Sequence, residues 1–161
     1  MSDQQQTGSA EARTQSARRR QEHSLHLAGR GRIRVVEYAG PAGAPTLMLL
    51  HGLGATGPLN WLTAFDDLAE RYRVVAVDHR GHGYGLPTRR FRLRDCADDA
   101  VAVADALGIR RFIAVGYSMG GPIAKLCWSR HPGRVSGLVL CATARHFTPD
   151  RYPVLTRAVL P

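Results

Sequence analysis

Phe112-Ile-Ala-Val-Gly-Tyr-Ser-Met-Gly-Gly121 runs four apolar residues into a glycine, presents a single serine, and continues as Pro122-Ile-Ala-Lys-Leu-Cys-Trp128. Phe112 to Val115 have the unbroken apolarity of a strand buried on both faces in a parallel sheet. The residues after Gly121 suit a helix packed closely against that strand. The stretch therefore predicts a strand, a very tight turn and a helix, with Ser118 at the hinge. A side chain there stands above the end of the sheet, next to the N–H groups that open the helix.

The spacing Gly116-x-Ser118-x-Gly120 needs its glycines because side chains at those places would collide with strand and helix. Alone, it also fits a glycine-rich turn whose serine merely caps a helix. Two further loops settle the reading. His51-Gly-Leu-Gly54 directly follows the apolar run Thr46-Leu-Met-Leu-Leu50, and Asp78-His-Arg-Gly-His-Gly83 directly follows Arg73-Val-Val-Ala-Val77. All three open at the carboxyl ends of strands, the edge at which an open parallel sheet binds its ligands. A dinucleotide site would instead require Gly-x-Gly-x-x-Gly opening a helix after the first strand, and the sequence has no such fingerprint.

In this order the three motifs resemble the lipase and esterase branch of the α/β-hydrolase superfamily. The resemblance covers about residues 24 to 145. It implies an α/β fold with a doubly wound, mostly parallel sheet, truncated here after about strand six. It makes Ser118 the catalytic nucleophile, and the backbone N–H groups of Leu53 and Met119 the oxyanion hole. His51, Gly52, Gly54, Gly116 and Gly120 are its motif positions. No cofactor and no metal is implied, and the partner is a small-molecule ester. A serine at the elbow counts against relatives that attack with aspartate.

The family order is Ser, then acid, then His, and both partners are expected beyond residue 161. Some relatives carry the acid just after strand six, near Thr143, which cannot serve. His146 and Asp150 do not stand where the family puts its base and acid. His51, His79 and His82 are expected to shape loops through hydrogen bonds. The resemblance leaves open a haloperoxidase-like or C–C bond hydrolase of the same fold. A non-catalytic ligand-binding or interaction module, and a gene fragment, also stay open.

The chain has 161 residues, 44% of them hydrophobic, enough for one domain with a real core. A net charge of +9 is scattered, its densest group being Arg89, Arg90, Arg92 and Arg94, which reads as a solvated loop. No nucleic-acid partner follows. Cys96, Cys127 and Cys141 are odd in number and lack Cys-x-x-Cys spacing, so they read as free thiols in a cytoplasmic protein. No apolar run is long enough to span a membrane, and the N-terminus lacks a signal core.

Residues 1–22 read as a disordered tail, 23–145 as the hydrolase core, and 146–161 as the start of a cap-like segment. Residues 23–28 and 32–38 read as a hairpin. Leu59, Trp61, Leu62, Phe65 and Leu68 predict one helix over 59–70, with Trp61 facing the core. A second helix is expected over 95–107, with Cys96, Val103, Ala106 and Leu107 inward and four acids outward. His131, beside the helix stop at Pro132, reads as a helix-dipole partner. Residues 135–142 read as a strand apolar on both faces. With nothing paired beyond it, that strand is an exposed edge through which the chain is expected to self-associate.

Overall fold

The computed structural model describes residues 20–144. The expectations for residues 1–19, for the cap-like segment, and for His146 and Asp150 lie outside them. Six strands form one sheet: β1 (Arg20–Leu27), β2 (Gly31–Tyr38), β3 (Thr46–Leu50), β4 (Arg73–Val77), β5 (Phe112–Tyr117) and β6 (Val135–Cys141). Their order is β1-β2-β4-β3-β5-β6. β1 and β2 are an antiparallel hairpin joined antiparallel to β4, while β4, β3, β5 and β6 run parallel. The strand expected to start the hairpin begins at Arg20, so residues 20–22 leave the predicted tail and join the sheet.

Parallel strands need crossovers, and here these are helices on both faces. α1 (Gly57–Asn60) and α2 (Phe65–Ala69) cover one face, while α3 (Leu93–Ala106) and α4 (Gly120–Arg130) pack together on the other. β3 is buried at every residue, as its unbroken Thr-Leu-Met-Leu-Leu requires. Met48 and Leu50 serve the core under α3 and α4, and Leu47 and Leu49 the core under α1 and α2. The larger core includes the fully buried Phe112, Met48 and Ile123. Truncating a fully buried Phe112 to alanine would cost about 3–5 kcal/mol.

Two helices differ from expectation. The segment 59–70 is not one helix: α1 ends at Asn60, Trp61 leaves helical geometry at φ −111, ψ 11, and α2 starts afresh at Phe65. The stripe that turns inward is Trp61, Phe65, Leu68 and Ala69, with Phe65 stacked on Tyr38 at 4.8 Å. Leu59 and Leu62 are off it, 66% and 68% exposed. In α3, Asp99 faces inward rather than out, and Ala106 is exposed. The buried Asp99 accepts from Arg80 Nε and Nη2 at 2.7 Å each and from Arg30 Nη1 at 2.8 Å. A carboxylate enters the core there because two guanidinium groups come with it.

The crossovers leave β3 in one direction towards β4 and pass β3 on the other side to reach β5. The chain thus reverses its winding between β3 and β5, which pair from Leu47–Ile113 to Leu50–Gly116. At such a switch point the loops after the two strands emerge side by side. They carry His51 and Ser118.

Candidate active site

Ser118 takes φ +49, a left-handed conformation that L-residues avoid at a cost of about 1–2 kcal/mol. The turn is tight enough that a Cβ on Gly116 would lie 2.2 Å from the Gly120 carbonyl oxygen, and a Cβ on Gly120 2.0 Å from that of Leu50. Both contacts are with backbone, which cannot swing aside. The two glycines therefore let α4 start directly against the ends of β5 and β3. Ser118 N–H donates to the Cys141 carbonyl at 3.0 Å, and Gly121 N–H donates to the Ser118 carbonyl at 3.0 Å.

The His51 loop meets this turn at Gly52. A Cβ there would come within 3.3 Å of Tyr117 Cδ1 and 3.4 Å of Ser118 Cβ, so only a glycine brings backbone this close to the serine without crowding it. His51 is buried. Its Nδ1 donates to the Gly52 carbonyl at 2.7 Å, and its Nε2 accepts from His79 N–H at 2.9 Å. A carbonyl can only accept and an N–H can only donate, so the ring is the neutral Nδ1–H tautomer. Burial pushes its pKa down to about 4, with the nearby His82 adding to that and the bond to Gly52 and the Asp78 charge opposing it. By gripping the carbonyl of the Gly52–Leu53 peptide, His51 turns that trans peptide's N–H, which belongs to Leu53, to the opposite side. On the Gly52 side, Asn60 Oδ1 accepts Gly52 N–H at 3.1 Å. Asn60's role was not read from the sequence; its only local mark is its place at the end of a four-residue helix capped by Thr56.

The third loop is held by Asp78, which is buried. Its Oδ1 accepts the first N–H of α1, from Gly57, at 2.8 Å, and its Oδ2 accepts Tyr84 N–H at 3.0 Å and Arg34 Nη2 at 3.4 Å. A Cβ on Gly83 would stand 2.5 Å from Asp78 Oδ2, which accounts for the glycine at that position. His79 is fully enclosed, and burial holds its pKa well below the ordinary imidazole value, with His51 and His82 pushing the same way.

Of the three crevice histidines, His79 has its Nε2 buried without a hydrogen-bond partner among the described residues. His51 has both nitrogens engaged, and His82 Nδ1 lies 3.2 Å from the Arg80 carbonyl. Among the described residues no imidazole hydrogen-bonds to Ser118 Oγ. His131 sits at the far end of α4, about 16 Å along its axis from the serine, with Nε2 2.7 Å from Asp98 Oδ1. Met119 is buried under the turn and Leu53 is exposed beside it. Thr143 holds no acid, and its Oγ1 instead donates to the Ser118 carbonyl at 2.8 Å. The arrangement offers a hydroxyl on a rigid hinge, next to two loops whose backbone geometry is fixed from both sides.

A family model described as alpha/beta hydrolase fold matches residues 45–159, well over half the chain. The chain is 44% identical over 107 residues to a 2-hydroxymuconate semialdehyde hydrolase of Pseudomonas sp. (strain CF600), covering 64% of this chain and 38% of that protein. It is 34% identical over 117 residues to a pimeloyl-[acyl-carrier protein] methyl ester esterase of Vibrio atlanticus, covering 73% and 43% respectively. The crystal structure of a membrane phospholipase A, a bacterial virulence factor, superposes with a TM-score of 0.71 at 37% identity, over 84% of this chain and 44% of that one. The chain therefore spans about two fifths of the length of these two curated relatives. Among the described residues no helix is long and apolar enough to cross a membrane.

Proposed function

Because the chain belongs to the α/β-hydrolase family, we propose that it carries the nucleophile half of a serine hydrolase acting on carboxylic esters or related acyl compounds. Ser118 Oγ attacks the acyl carbon, and the carbonyl oxygen becomes an oxyanion received by the N–H groups of Leu53 and Met119. Collapse of that intermediate expels the alcohol and leaves an acyl-serine, which water then hydrolyses. The observation that carries this reading is the strained Ser118 turn with Gly52 backbone in contact range of its Cβ. The general base and its acid lie, in this proposal, outside the described residues, since no imidazole within them hydrogen-bonds to Ser118 Oγ.

An ester substrate is supported by the esterase among the relatives. The identity to a 2-hydroxymuconate semialdehyde hydrolase favours a second reading, a C–C bond hydrolase with the same nucleophile. Assaying the complete protein with both substrate types separates them. The three free cysteines fit a reducing, cytoplasmic setting.

In the complete protein, Ser118→Ala is expected to abolish hydrolysis of a short p-nitrophenyl ester, with a loss near 10⁶-fold in kcat by triad precedent. Circular dichroism should show the fold unchanged. More than a tenth of the activity remaining would move the nucleophile elsewhere.

A further inference from the structure

Two non-glycine residues among those described have positive φ: Ser118 at +49 and Ala142 at +45. They lie opposite each other, one step past Tyr117–Cys141, the last paired rung of β5 and β6. A single such residue is uncommon, and two facing each other require that something hold them there. The glycines of the elbow do not do this. Gly116 and Gly120 remove obstacles, but they do not oblige Ser118 to leave ordinary backbone geometry.

The end of β6 does. Ser118 N–H donates to the carbonyl of Cys141, and the Ser118 carbonyl accepts from Oγ1 of Thr143 at 2.8 Å as well as from Gly121 N–H. Both backbone polar groups of Ser118 are thus bound by residues on either side of Ala142. The left-handed turn at Ala142 brings the Thr143 side chain back over the elbow, where an extended residue would carry it onward. Space for it exists because residue 121 is glycine, as a Cβ there would lie 2.3 Å from Thr143 Oγ1 and 2.6 Å from its Cγ2.

We propose that Thr143 is a positioning residue for the nucleophile, its hydroxyl holding Ser118 in the strained conformation that aims Oγ at the substrate. The proposal rests on the reading of Ser118 as nucleophile. Without the hydroxyl the Ser118 peptide relaxes and Oγ drifts, and a displacement of about 1 Å at a reacting atom is enough for a hundredfold loss.

The test compares Thr143→Val, which removes the hydroxyl at nearly constant shape, with Thr143→Ser, which keeps it. In the protein that hydrolyses p-nitrophenyl acetate, the valine variant should lose about ten- to a hundredfold in kcat with KM unchanged, while the serine variant stays within about threefold of the parent. Amide hydrogen exchange over residues 117–121, which needs no chemistry, should accelerate about tenfold in the valine variant only. If that variant does not fold, Thr143→Ala against Thr143→Ser, differing by one hydroxyl, carries the same comparison. Parent-like kcat and exchange without the hydroxyl, or equal losses with and without it, would overturn the proposal. Loosened exchange together with active Ser118→Ala would leave the clamp standing and remove the nucleophile assignment. An inactive Ser118→Ala beside a parent-like Thr143→Val would do the reverse.

Discussion

At Ser118 the backbone adopts a conformation that the glycines around it make room for, and its neighbours supply main chain rather than side chains. If the oxyanion donors are N–H groups, Met119→Leu and Leu53→Met should leave esterase activity largely intact. Gly54, at φ +73 with open space around its Cα, is different: Gly54→Val puts a β-branched residue where only the backbone conformation forbids it. It should cost more activity than either swap, and equal losses across the three would contradict the donor assignment. His51 gives a pH signature. Its folded pKa of about 4 lies below the 6.5 of the unfolded chain, so between those values the unfolded state binds a proton that the folded state refuses. Stability is therefore full above pH 6.5 and falls as pH drops towards 4, by about 3 kcal/mol from this residue. His79 acts in the same direction. Urea unfolding at pH 7.5, 6 and 5 should show the decline, and His51→Gln should flatten it; an unchanged slope would mean the ring is not held neutral. The tight turn at Ser118 and the glycines around it were legible in the sequence because steric exclusion acts through a few neighbouring residues. Asn60 and the hydroxyl of Thr143 were not, since each acts on backbone that only the folded sheet brings near.

Between elements, the sheet edge is tied to the helices by charge as well as by apolar packing. Asp99 on α3 binds Arg80 from the Asp78 loop and Arg30 from the β1–β2 turn. Removing a carboxylate from a buried cluster strands the cations, so Asp99→Ala should lower unfolding stability by about 3 kcal/mol, and a loss below about 1 kcal/mol would show that the pairing is dispensable. Ala142→Gly should act oppositely. A glycine takes φ +45 without strain, and the variant should gain up to about 1 kcal/mol in a denaturant melt while leaving Thr143 in place. The parallel strands could be read because a strand covered on both faces shows continuous apolarity, as Thr46–Leu50 and Arg73–Val77 do. The helix expected over 59–70 failed because Leu59 and Leu62 imitate an apolar stripe, whereas the burial of Trp61 and Phe65 breaks the segment in two. Asp99 looked like one more surface acid because its arginine partners lie 69 and 19 residues away.

For the molecule as a whole, β6 is paired on one side only among the described residues, and its Val139 and Leu140 are 44% and 47% exposed. A strand edge of this length and apolarity recruits other chains. The 161-residue chain should therefore elute ahead of a monomer in gel filtration, and Val139→Lys should shift it back; a monodisperse parent would contradict this. Among the described residues no imidazole hydrogen-bonds to Ser118, so the 161-residue chain alone should also react slowly or not at all with a fluorophosphonate. In the complete protein, mass-spectrometric mapping of the fluorophosphonate adduct after inactivation identifies the nucleophile. A stoichiometric adduct is expected on Ser118, within the tryptic peptide 112–125, formed in step with the loss of esterase activity. Full inactivation with the adduct on another residue, or an active esterase whose Ser118 stays unmodified, would contradict it.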